Sequence, residues 1–308
     1  MSLVSILRKS PIVWTLATGK TLKLGNRTFR IKGFLANPLA LNNEGLQANE
    51  PWLDVVFHSI LLCREGTFLD VGANLGQTMF KLLRLDPDVR YLGFEPQMSC
   101  CLMTQRFLDD NRLTNCKIFP FGLFNANRLI KLHTSCSDYD CAASMVDGFR
   151  PESFYAADRY VCVRRGDEVV SELGLIHISG IKVDVEGAEL EVLEGLIETI
   201  EVTRPFLIFE VLNHFLAMTG ACLDETTLKF REARIEKLEK LLRPLGYEIF
   251  NILPGSQLNR VSRIAPPVSS DLSLTNYVAA PAPDLDAFLK AFRALGGTIE
   301  NQPTLAVA

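Results

Sequence analysis

The stretch Thr67-Phe-Leu-Asp-Val-Gly-Ala-Asn-Leu-Gly-Gln-Thr78 contains a strand pattern, a glycine-rich turn and the start of a helix in direct succession. Residues 67–71 are apolar and prone to β structure apart from Asp70. Gly72 and Gly76 permit the dihedral angles of a sharp turn and let the main chain approach a ligand closely. The pattern predicts a strand–turn–helix unit with a ligand site at the carboxyl end of the strand.

The glycine spacing narrows the class of ligand. The pattern Asp70-x-Gly72-x-x-x-Gly76 differs from the Gly-x-Gly-x-x-Gly of dinucleotide sites, and it lacks the Lys-Ser/Thr pair of a P-loop. A cationic nucleoside cofactor without phosphates therefore fits this turn better than NAD or ATP. Asn74 would present an amide in the turn, or would simply tolerate a left-handed conformation there.

A second acid follows one strand–helix unit later. Tyr91-Leu-Gly-Phe-Glu95-Pro96 has the pattern of a strand, and Glu95 stands 19 positions after Gly76. This separation is close to the roughly 20-residue offset of the acid that binds ribose hydroxyls in nucleotide-binding folds. A lone acid at a strand end is most often only solvated, but the position of Glu95 relative to the turn favours ribose binding.

Strand and helix patterns alternate along most of the chain. We expect strands near residues 67–71, 91–95, 117–121, 180–185, 206–211, 246–252 and 274–280, and helices near 49–63, 76–85, 98–111, 188–200, 225–243 and 284–295. Such alternation predicts an α/β fold, with a doubly wound, mostly parallel sheet covered by helices on both faces.

Three regions stand outside this alternation. Residues 1–45 are predicted to be an N-terminal extension, with a hairpin around Gly25-Asn26 and a short helix before it, and residues 46–308 the main domain. Residues 133–160 are polar and irregular, and we interpret them as a loop that forms part of the substrate mouth. Residues 255–271, rich in proline and serine, are predicted to be a second loop.

Three segments of the chain resemble a known family. Asp70-Val-Gly-Ala-Asn-Leu-Gly76 looks like motif I of the class I S-adenosylmethionine-dependent methyltransferases. Ile181-Lys-Val-Asp-Val-Glu-Gly-Ala-Glu-Leu-Glu-Val-Leu-Glu-Gly-Leu196 resembles the signature of the FkbM family within that class, and the segments Asn49-Glu-Pro51, Phe94-Glu-Pro96 and Pro205–Glu210 follow in the matching order. The resemblance implies a Rossmann-like, seven-stranded sheet whose last strand, residues 274–280, is antiparallel.

The resemblance and the strand ends together imply a set of site residues. The residues expected to bind S-adenosylmethionine are Glu50, Asp70, Gly72, Asn74, Gly76, Glu95 and Asp184. Asp184, Glu186 and Glu210 are the candidate catalytic residues, because they follow strands whose ends meet at one edge of the sheet. They could act as a base, as anchors for an acceptor hydroxyl, or as ligands for a hard cation such as Mg²⁺.

Other acids and a histidine near these positions have simpler explanations. Glu189 suits the dipole of a helix start, which we favour over catalysis, and Glu50 has the same alternative. His214, just beyond a strand, could act as a base, but a lone histidine at such a junction is more often structural.

Composition excludes several classes of protein. The net charge of −4 gives no reason to expect nucleic-acid binding. The eight cysteines form no Cys-x-x-Cys pair and the four histidines are dispersed, so no zinc site is predicted, and free thiols favour a cytoplasmic location. The N-terminus has the wrong order of charge and apolar residues for a signal peptide, and no stretch reaches about 18 apolar residues, so no membrane span is expected.

The sequence therefore predicts an S-adenosylmethionine-dependent methyltransferase. The resemblance implies O-methylation of a hydroxyl on a sugar or natural-product acceptor, and N-methylation remains open. A nicotinamide-dependent oxidoreductase is disfavoured because the turn lacks the third glycine of its fingerprint. A non-catalytic scaffold that kept the fold is a further alternative, against which the retained acids argue.

Overall fold

The computed structural model describes residues 20–31, 50–135, 140–216, 221–266 and 269–301. The strands are β1 (Lys20–Leu24), β2 (Arg27–Ile31), β3 (Thr67–Val71), β4 (Arg90–Phe94), β5 (Cys116–Phe119), β6 (Gly122–Phe124), β7 (Arg128–Thr134), β8 (Ala157–Arg165), β9 (Ile178–Val183), β10 (Phe206–Glu210), β11 (Phe215–Leu216), β12 (Ala221–Cys222), β13 (Tyr247–Leu253), β14 (Gln257–Arg260), β15 (Asn276–Pro281) and β16 (Thr298–Asn301). The α-helices are α1 (Leu53–Cys63), α2 (Gln77–Leu85), α3 (Met98–Asn111), α4 (Gly166–Glu172), α5 (Glu189–Gly195), α6 (Ile197–Thr203), α7 (Glu225–Leu242) and α8 (Leu285–Ala294).

The central sheet has the strand order β16-β14-β13-β15-β10-β9-β3-β4-β5. Strands β5, β4, β3, β9 and β10 are mutually parallel. Strand β15 is antiparallel to both of its neighbours, β10 and β13, which confirms that the strand predicted at 274–280 is antiparallel, although β16 follows it as the last strand of the sheet. The predicted mostly parallel α/β sheet is confirmed. Its strand count is nine rather than seven, because β14 and β16 extend the edge beyond β13.

Two apolar cores cover the two faces of the sheet. In β3, Phe68 packs into one core, while Leu69 and Val71 pack into the other. Successive side chains of a strand point to opposite faces, so a strand covered on both sides is apolar almost throughout. The first core includes residues of α1, α2, α3 and α8, and the second includes residues of α5, α6 and α7. Helices on both faces are therefore confirmed.

A second, three-stranded sheet separates β5 from β9 in the sequence. Its order is β6-β8-β7, and β7 pairs with β8 from Arg128↔Val163 to Thr134↔Ala157. The prediction that residues 133–160 are irregular is therefore wrong at both ends. The exposed face of these strands carries Lys131 and Asp158 but also Leu129 and Tyr160, so the strands lack a regular alternation of apolar and polar residues.

Three further predictions differ from the structure in detail. The stretch 255–271 is not wholly a loop, because β14 forms within it. The helix expected at 188–200 is two helices, α5 and α6, separated at Leu196. The helix expected from residue 49 begins at Leu53, after a turn that includes Glu50.

The predicted hairpin around Gly25-Asn26 is present as β1 and β2, and it packs against the main domain. Phe29 contacts Phe107 of α3 at 5.7 Å between ring centroids, and Asn111 hydrogen-bonds the backbone of Arg30. The expected helix before the hairpin and the predicted boundary at 45/46 lie outside the described residues. No helix in the described part of the chain has the length and apolar character needed to cross a membrane.

Candidate functional site

A cavity of about 300 Å³ lies at the carboxyl ends of β3, β4, β9 and β10. Open α/β sheets bind ligands in a crevice at this edge, where neighbouring strands connect in opposite directions. The structure brings seven of the predicted site residues to its lining, namely Glu50, Gly72, Asn74, Glu95, Asp184, Glu186 and Glu210. The cavity therefore unites the predicted cofactor-binding turn with the predicted catalytic acids.

Gly72 fixes the position of the turn against the neighbouring strand. Its φ is +86°, and a Cβ atom added there would lie 1.8 Å from the carbonyl oxygen of Asp184. Its amide donates to the carbonyl of Phe94 at 2.9 Å, and the amide of Asp184 donates to the carbonyl of Val71 at 2.9 Å. Any larger residue would push the turn away from Asp184, so the turn and this acid keep one relative position.

Glu95 binds the turn from the side of β4. One carboxylate oxygen accepts from the Asn74 amide at 2.8 Å, and the other accepts from the Gln97 amide at 2.7 Å. The side chain is 3% exposed, and burial raises its pKa to about 7, although these amides act in the opposite direction. Glu95 therefore shapes the turn as well as lining the cavity, and lone pairs remain on both oxygens for a ligand's hydroxyls.

Two predicted cofactor-binding residues do not line the cavity. Asp70 is fully buried beneath the turn, where the hydroxyl of Tyr91 donates to its carboxylate at 2.6 Å. Burial raises its pKa to about 6, and the charge of Lys182 opposes this rise. Gly76, with a φ of +85°, precedes the first residue of α2. Asp70 and Gly76 therefore contribute to the structure of the turn rather than to the cavity lining.

Lys182 is a lining residue that the sequence reasoning missed. It is 4% exposed, its ammonium lies 2.6 Å from an Asp184 carboxylate oxygen, and it is paired in register with Asp70. Burial lowers the pKa of Lys182, but the charges of Asp184, Glu50 and Asp70 outweigh it and hold the pKa above its ordinary value. Its position within an otherwise apolar strand could have identified it from the sequence, because a buried lysine needs an acidic partner.

The three candidate catalytic acids meet at one point. Asp184, Glu186 and Glu210 each place a carboxylate oxygen within 4.8 Å of the others. Burial raises the pKa of Glu210 well above its usual range, and the charges of Asp184 and Glu186 raise it further. The hydroxyl of Thr275 donates to Glu210 at 2.7 Å. The fold therefore favours the protonated form of Glu210.

The side chains next to this cluster take structural roles. Glu189 accepts from the amides of Val185 and Gly187 at 3.3 and 3.1 Å, so it holds the loop that carries Glu186. His214 is 8% exposed and lies outside this cavity, and its Nε2 is buried without a hydrogen-bond partner among the described residues. Burial lowers the pKa of His214. Neither side chain faces the space between the three acids.

Residues 140–145 form a further part of the cavity wall. Gln97 and the backbone of Asp140 exchange two hydrogen bonds, of 2.8 and 3.1 Å. Arg150 pairs with Glu186 and donates to the carbonyl of Ala142 at 3.1 Å. Ser144 donates to the carbonyl of Glu186 at 2.7 Å. Sequence reasoning placed this segment at the substrate mouth but missed Arg150, whose partner lies 36 positions away.

Comparison with known proteins identifies the family. Residues 70–249 match the methyltransferase FkbM domain. The chain belongs to this family. A 2-O-methyltransferase, NoeI of Sinorhizobium fredii, is 28% identical over 156 residues, which are 47% of this chain and 63% of that protein. The AMB antimetabolite synthetase AmbE of Pseudomonas aeruginosa is 24% identical over 86% of this chain and 13% of its own length.

The chain thus spans less than two thirds of either curated relative. Among solved structures, a methyltransferase FkbM from Methylobacillus flagellatus aligns with a TM-score of 0.41 and 16% identity, over 70% of this chain and 43% of that one. The confirmed expectation is family membership, together with the α/β fold described above.

Proposed function

We propose that this protein is an S-adenosylmethionine-dependent methyltransferase that methylates a hydroxyl of a sugar or natural-product acceptor. The observation that carries the proposal is a single cavity with the glycine turn and Glu95 at one side and the cluster of Asp184, Glu186 and Glu210 at the other. Family membership supports the activity.

The cofactor would bind along the turn. Gly72 and Asn74 line the cavity, with their own amides donating to Phe94 and to Glu95, and Glu95 offers two carboxylate oxygens to the ribose hydroxyls. The wall at Leu123, Leu132 and Met145 supplies apolar surface suited to an adenine ring. The methionine part would then extend towards Asp184. Acids along this path suit a sulfonium cation, because opposite charges attract strongly in a poorly hydrated site.

The chemical step would take place beside the acid cluster. The acceptor oxygen forms a bond to the methyl carbon, the carbon–sulfur bond breaks, and the sulfur keeps the electron pair. The acceptor hydroxyl must lose its proton in the same process. We assign Glu210, in its ionised form, as the group that receives it, because its carboxylate lies in the acid cluster and burial raises its proton affinity. Asp184 and Glu186 would anchor the acceptor and hold it in line with the departing sulfur.

A bound Mg²⁺ is not part of the proposal. The spacing of the three carboxylates would suit a cation, but Asp184 already pairs with Lys182 and Glu186 with Arg150. The buried Lys182 and Arg150 neutralise negative charge on these carboxylates, and a divalent cation would need that charge to bind. Methyl transfer should accordingly proceed unchanged in the presence of EDTA, and a loss of activity restored by added Mg²⁺ would contradict this assignment.

The names of the two curated relatives guide the choice of acceptor. One is called a 2-O-methyltransferase and the other an antimetabolite synthetase. Hydroxylated sugars and amino-acid-derived natural products are therefore the first acceptors to offer. Transfer to an amine remains the second candidate, since the donor site would be the same.

The experiment is a methyl-transfer assay that follows formation of S-adenosylhomocysteine with such a panel of acceptors. We expect turnover with a hydroxylated acceptor, and a loss of at least a hundredfold in kcat for Glu210→Gln, the scale of general-base catalysis. Cofactor affinity should stay near that of the unmodified protein. Cofactor binding without turnover on any acceptor would favour the scaffold alternative, and an undiminished kcat in Glu210→Gln would remove this residue from proton transfer.

A further inference from the structure

Arg150 is the side chain that connects the acid edge of the cavity with the wall formed by residues 140–145. Its guanidinium pairs with the carboxylate of Glu186 on one side and donates to the carbonyl of Ala142 on the other. The neighbours of Ala142, which are Cys141 and Ala143, line the cavity directly. One buried cation thus contacts both the candidate catalytic acid Glu186 and the segment that would cover the cofactor.

The surroundings of Arg150 hold it in one orientation. Arg150 is 8% exposed and lies over the ring of Phe154 at 4.9 Å, with the Phe149 ring at 5.7 Å. A Cβ atom on Gly187, next to Glu186, would lie 2.5 Å from the Phe149 ring. The aromatic rings and the acid-bearing loop therefore pack directly together, and Arg150 has little freedom to seek another partner.

A second arginine also holds Phe149 in place. Arg231 of α7 is 4% exposed, lies 4.1 Å from the Phe149 ring centroid, and donates to the carbonyls of Phe149 and Asn213. These contacts place the segment ending at Arg150 between α7 and the Glu186 loop. The position of the wall is therefore determined by long-range contacts rather than by its own local sequence.

We propose that Arg150 is a positioning residue that aligns Glu186 at the acceptor side of the cavity and holds the 140–145 wall against the cofactor. The inference rests on the proposed function, because it assigns a role within the same cavity. It extends that function to a residue outside the motifs of the family resemblance.

The charge of Arg150 should also control the ionisation of Glu186. Burial raises the pKa of Glu186 to about 7, and the charge of Arg150 acts in the opposite direction. The other charged or titratable groups that face or influence Glu186 are Asp184, Glu210, Asp140, Cys141, Glu189 and Arg231. Most of these are acids, so loss of the Arg150 charge would leave Glu186 protonated across the neutral range.

The test compares binding of S-adenosylmethionine and S-adenosylhomocysteine between pH 6 and 9 for the unmodified protein, Arg150→Lys and Arg150→Gln. These two ligands differ by the sulfonium charge, so the ratio of their affinities reports the charge of the acid cluster without requiring an acceptor. Arg64→Gln is the matched control. Arg64 also pairs with an acid, Asp284, and donates to backbone carbonyls, but it lies outside the cavity lining.

In the unmodified protein the preference for S-adenosylmethionine should rise with pH near 7. Arg150→Gln should move this rise upwards by about one pH unit or more, the scale on which a neighbouring opposite charge shifts a carboxyl pKa, and should weaken binding of both ligands. Arg150→Lys should keep the rise in place, because the charge remains, yet still weaken both ligands through loss of the contact to Ala142. Arg64→Gln should lower only the melting temperature.

An unshifted rise in Arg150→Gln with unchanged affinities would overturn the inference and leave Arg150 a purely structural residue. If Arg150→Gln does not fold, Arg150→Lys decides the matter, because undiminished affinity for both ligands in that variant contradicts the role in holding the wall. Failure of the unmodified protein to bind either ligand would overturn both this inference and the proposed function.

Discussion

The two sides of the cavity are built in different ways. The glycine turn from Asp70 to Gln77 is formed mainly by backbone, and Gly72 allows it to pack against Asp184. The opposite edge is formed by acidic side chains, of which Asp184 pairs with the nearby Lys182 and Glu186 pairs with Arg150, 36 positions away. The backbone side depends on exact local geometry, whereas the acid edge depends on a balance of buried charges.

This difference determines what a substitution can damage. A backbone turn fails when a single atom does not fit, because neighbouring main chain cannot move aside. A charge network fails when one partner is removed and another charge is left buried without compensation. The effects of substitutions on the two sides should therefore differ in magnitude and in their dependence on pH. They should also differ in whether a conservative replacement restores function.

Gly72→Ala should have the largest effect. The added methyl group would overlap the carbonyl oxygen of Asp184, and a φ of +86° is unfavourable for alanine. We expect loss of stable folding, or destabilisation of more than about 4 kcal/mol, which is in the exceptional range for a point mutation. Circular dichroism during thermal unfolding would measure the change.

Gly246→Ala is the matched control for this experiment. Gly246 has a φ of +74° and no neighbouring atom within 4 Å of an added Cβ. The Gly246→Ala variant should therefore lose only about 1–2 kcal/mol, which is what a left-handed backbone conformation costs an alanine. Equal destabilisation by the two variants would show that close approach to Asp184 has no special weight at the turn.

Lys182→Met should have the next largest effect, and it tests the acid edge. Removing the ammonium leaves Asp184 and the buried Asp70 without a nearby cation. The loss of one partner from a buried pair typically costs about 3–5 kcal/mol, and the cost should shrink as the pH falls and Asp70, whose pKa burial raises to about 6, becomes protonated. Chemical denaturation at pH 5 and pH 8 would separate these contributions.

Lys240→Met provides the comparison on the surface. Lys240 pairs with Glu236 one helical turn earlier, and both side chains are largely exposed. Such exposed pairs contribute little to stability because solvent screens their charges, so this variant should be nearly neutral at either pH. A pH-independent loss in Lys182→Met would show that lost packing, rather than lost charge, destabilises that variant.

The smallest expected effect concerns the pH dependence of stability through Glu95. Because the folded protein raises the pKa of Glu95 from 4.5 to about 7, it holds a proton that the unfolded chain has already released. The contribution is complete below pH 4.5 and is lost as the pH rises through 7, by up to about 3 kcal/mol at 1.36 kcal/mol per pKa unit.

Glu95→Gln should therefore flatten the fall in stability between pH 5 and 8 relative to the unmodified protein. Glu186 and Glu189 also have pKa values raised to about 7, so part of the slope should remain. Glu172→Gln serves as the control, because Glu172 lies on the surface beside Arg164 and its pKa is lowered instead. A slope that is the same in Glu95→Gln as in the unmodified protein would show that Glu95 titrates normally in the fold.

The sequence predicted the backbone side of the cavity better than its charge network. The glycine spacing and the offset to Glu95 are local patterns, so they located the turn and the adjoining strands. The convergence of Asp184, Glu186 and Glu210 followed from parallel strands that end at one edge. The segment 140–145 was placed at the substrate mouth, but Arg150 could not be predicted, because the contacts of this region join segments 36 to 42 positions apart.

The strands at the periphery were also difficult to predict from local sequence. Strands β7 and β8 were missed because their exposed faces mix charged with apolar side chains, and β14 because it follows a turn in a serine- and proline-rich stretch. Pairing with neighbouring strands, rather than local propensity, stabilises them. Asp70 was expected at the cofactor, but the fold buries it with Tyr91 beneath the turn, a pairing that depends on the register of β3 and β4.

The most direct test of the account is a calorimetric titration of the protein with S-adenosylmethionine and S-adenosylhomocysteine, with NADH as the control. Micromolar binding of the two adenosyl ligands, and no binding of NADH, is the predicted result. Binding of NADH without binding of either adenosyl ligand would contradict the assignment of the glycine turn and favour an oxidoreductase. Binding of none of the three would remove the cofactor on which the proposed chemistry depends.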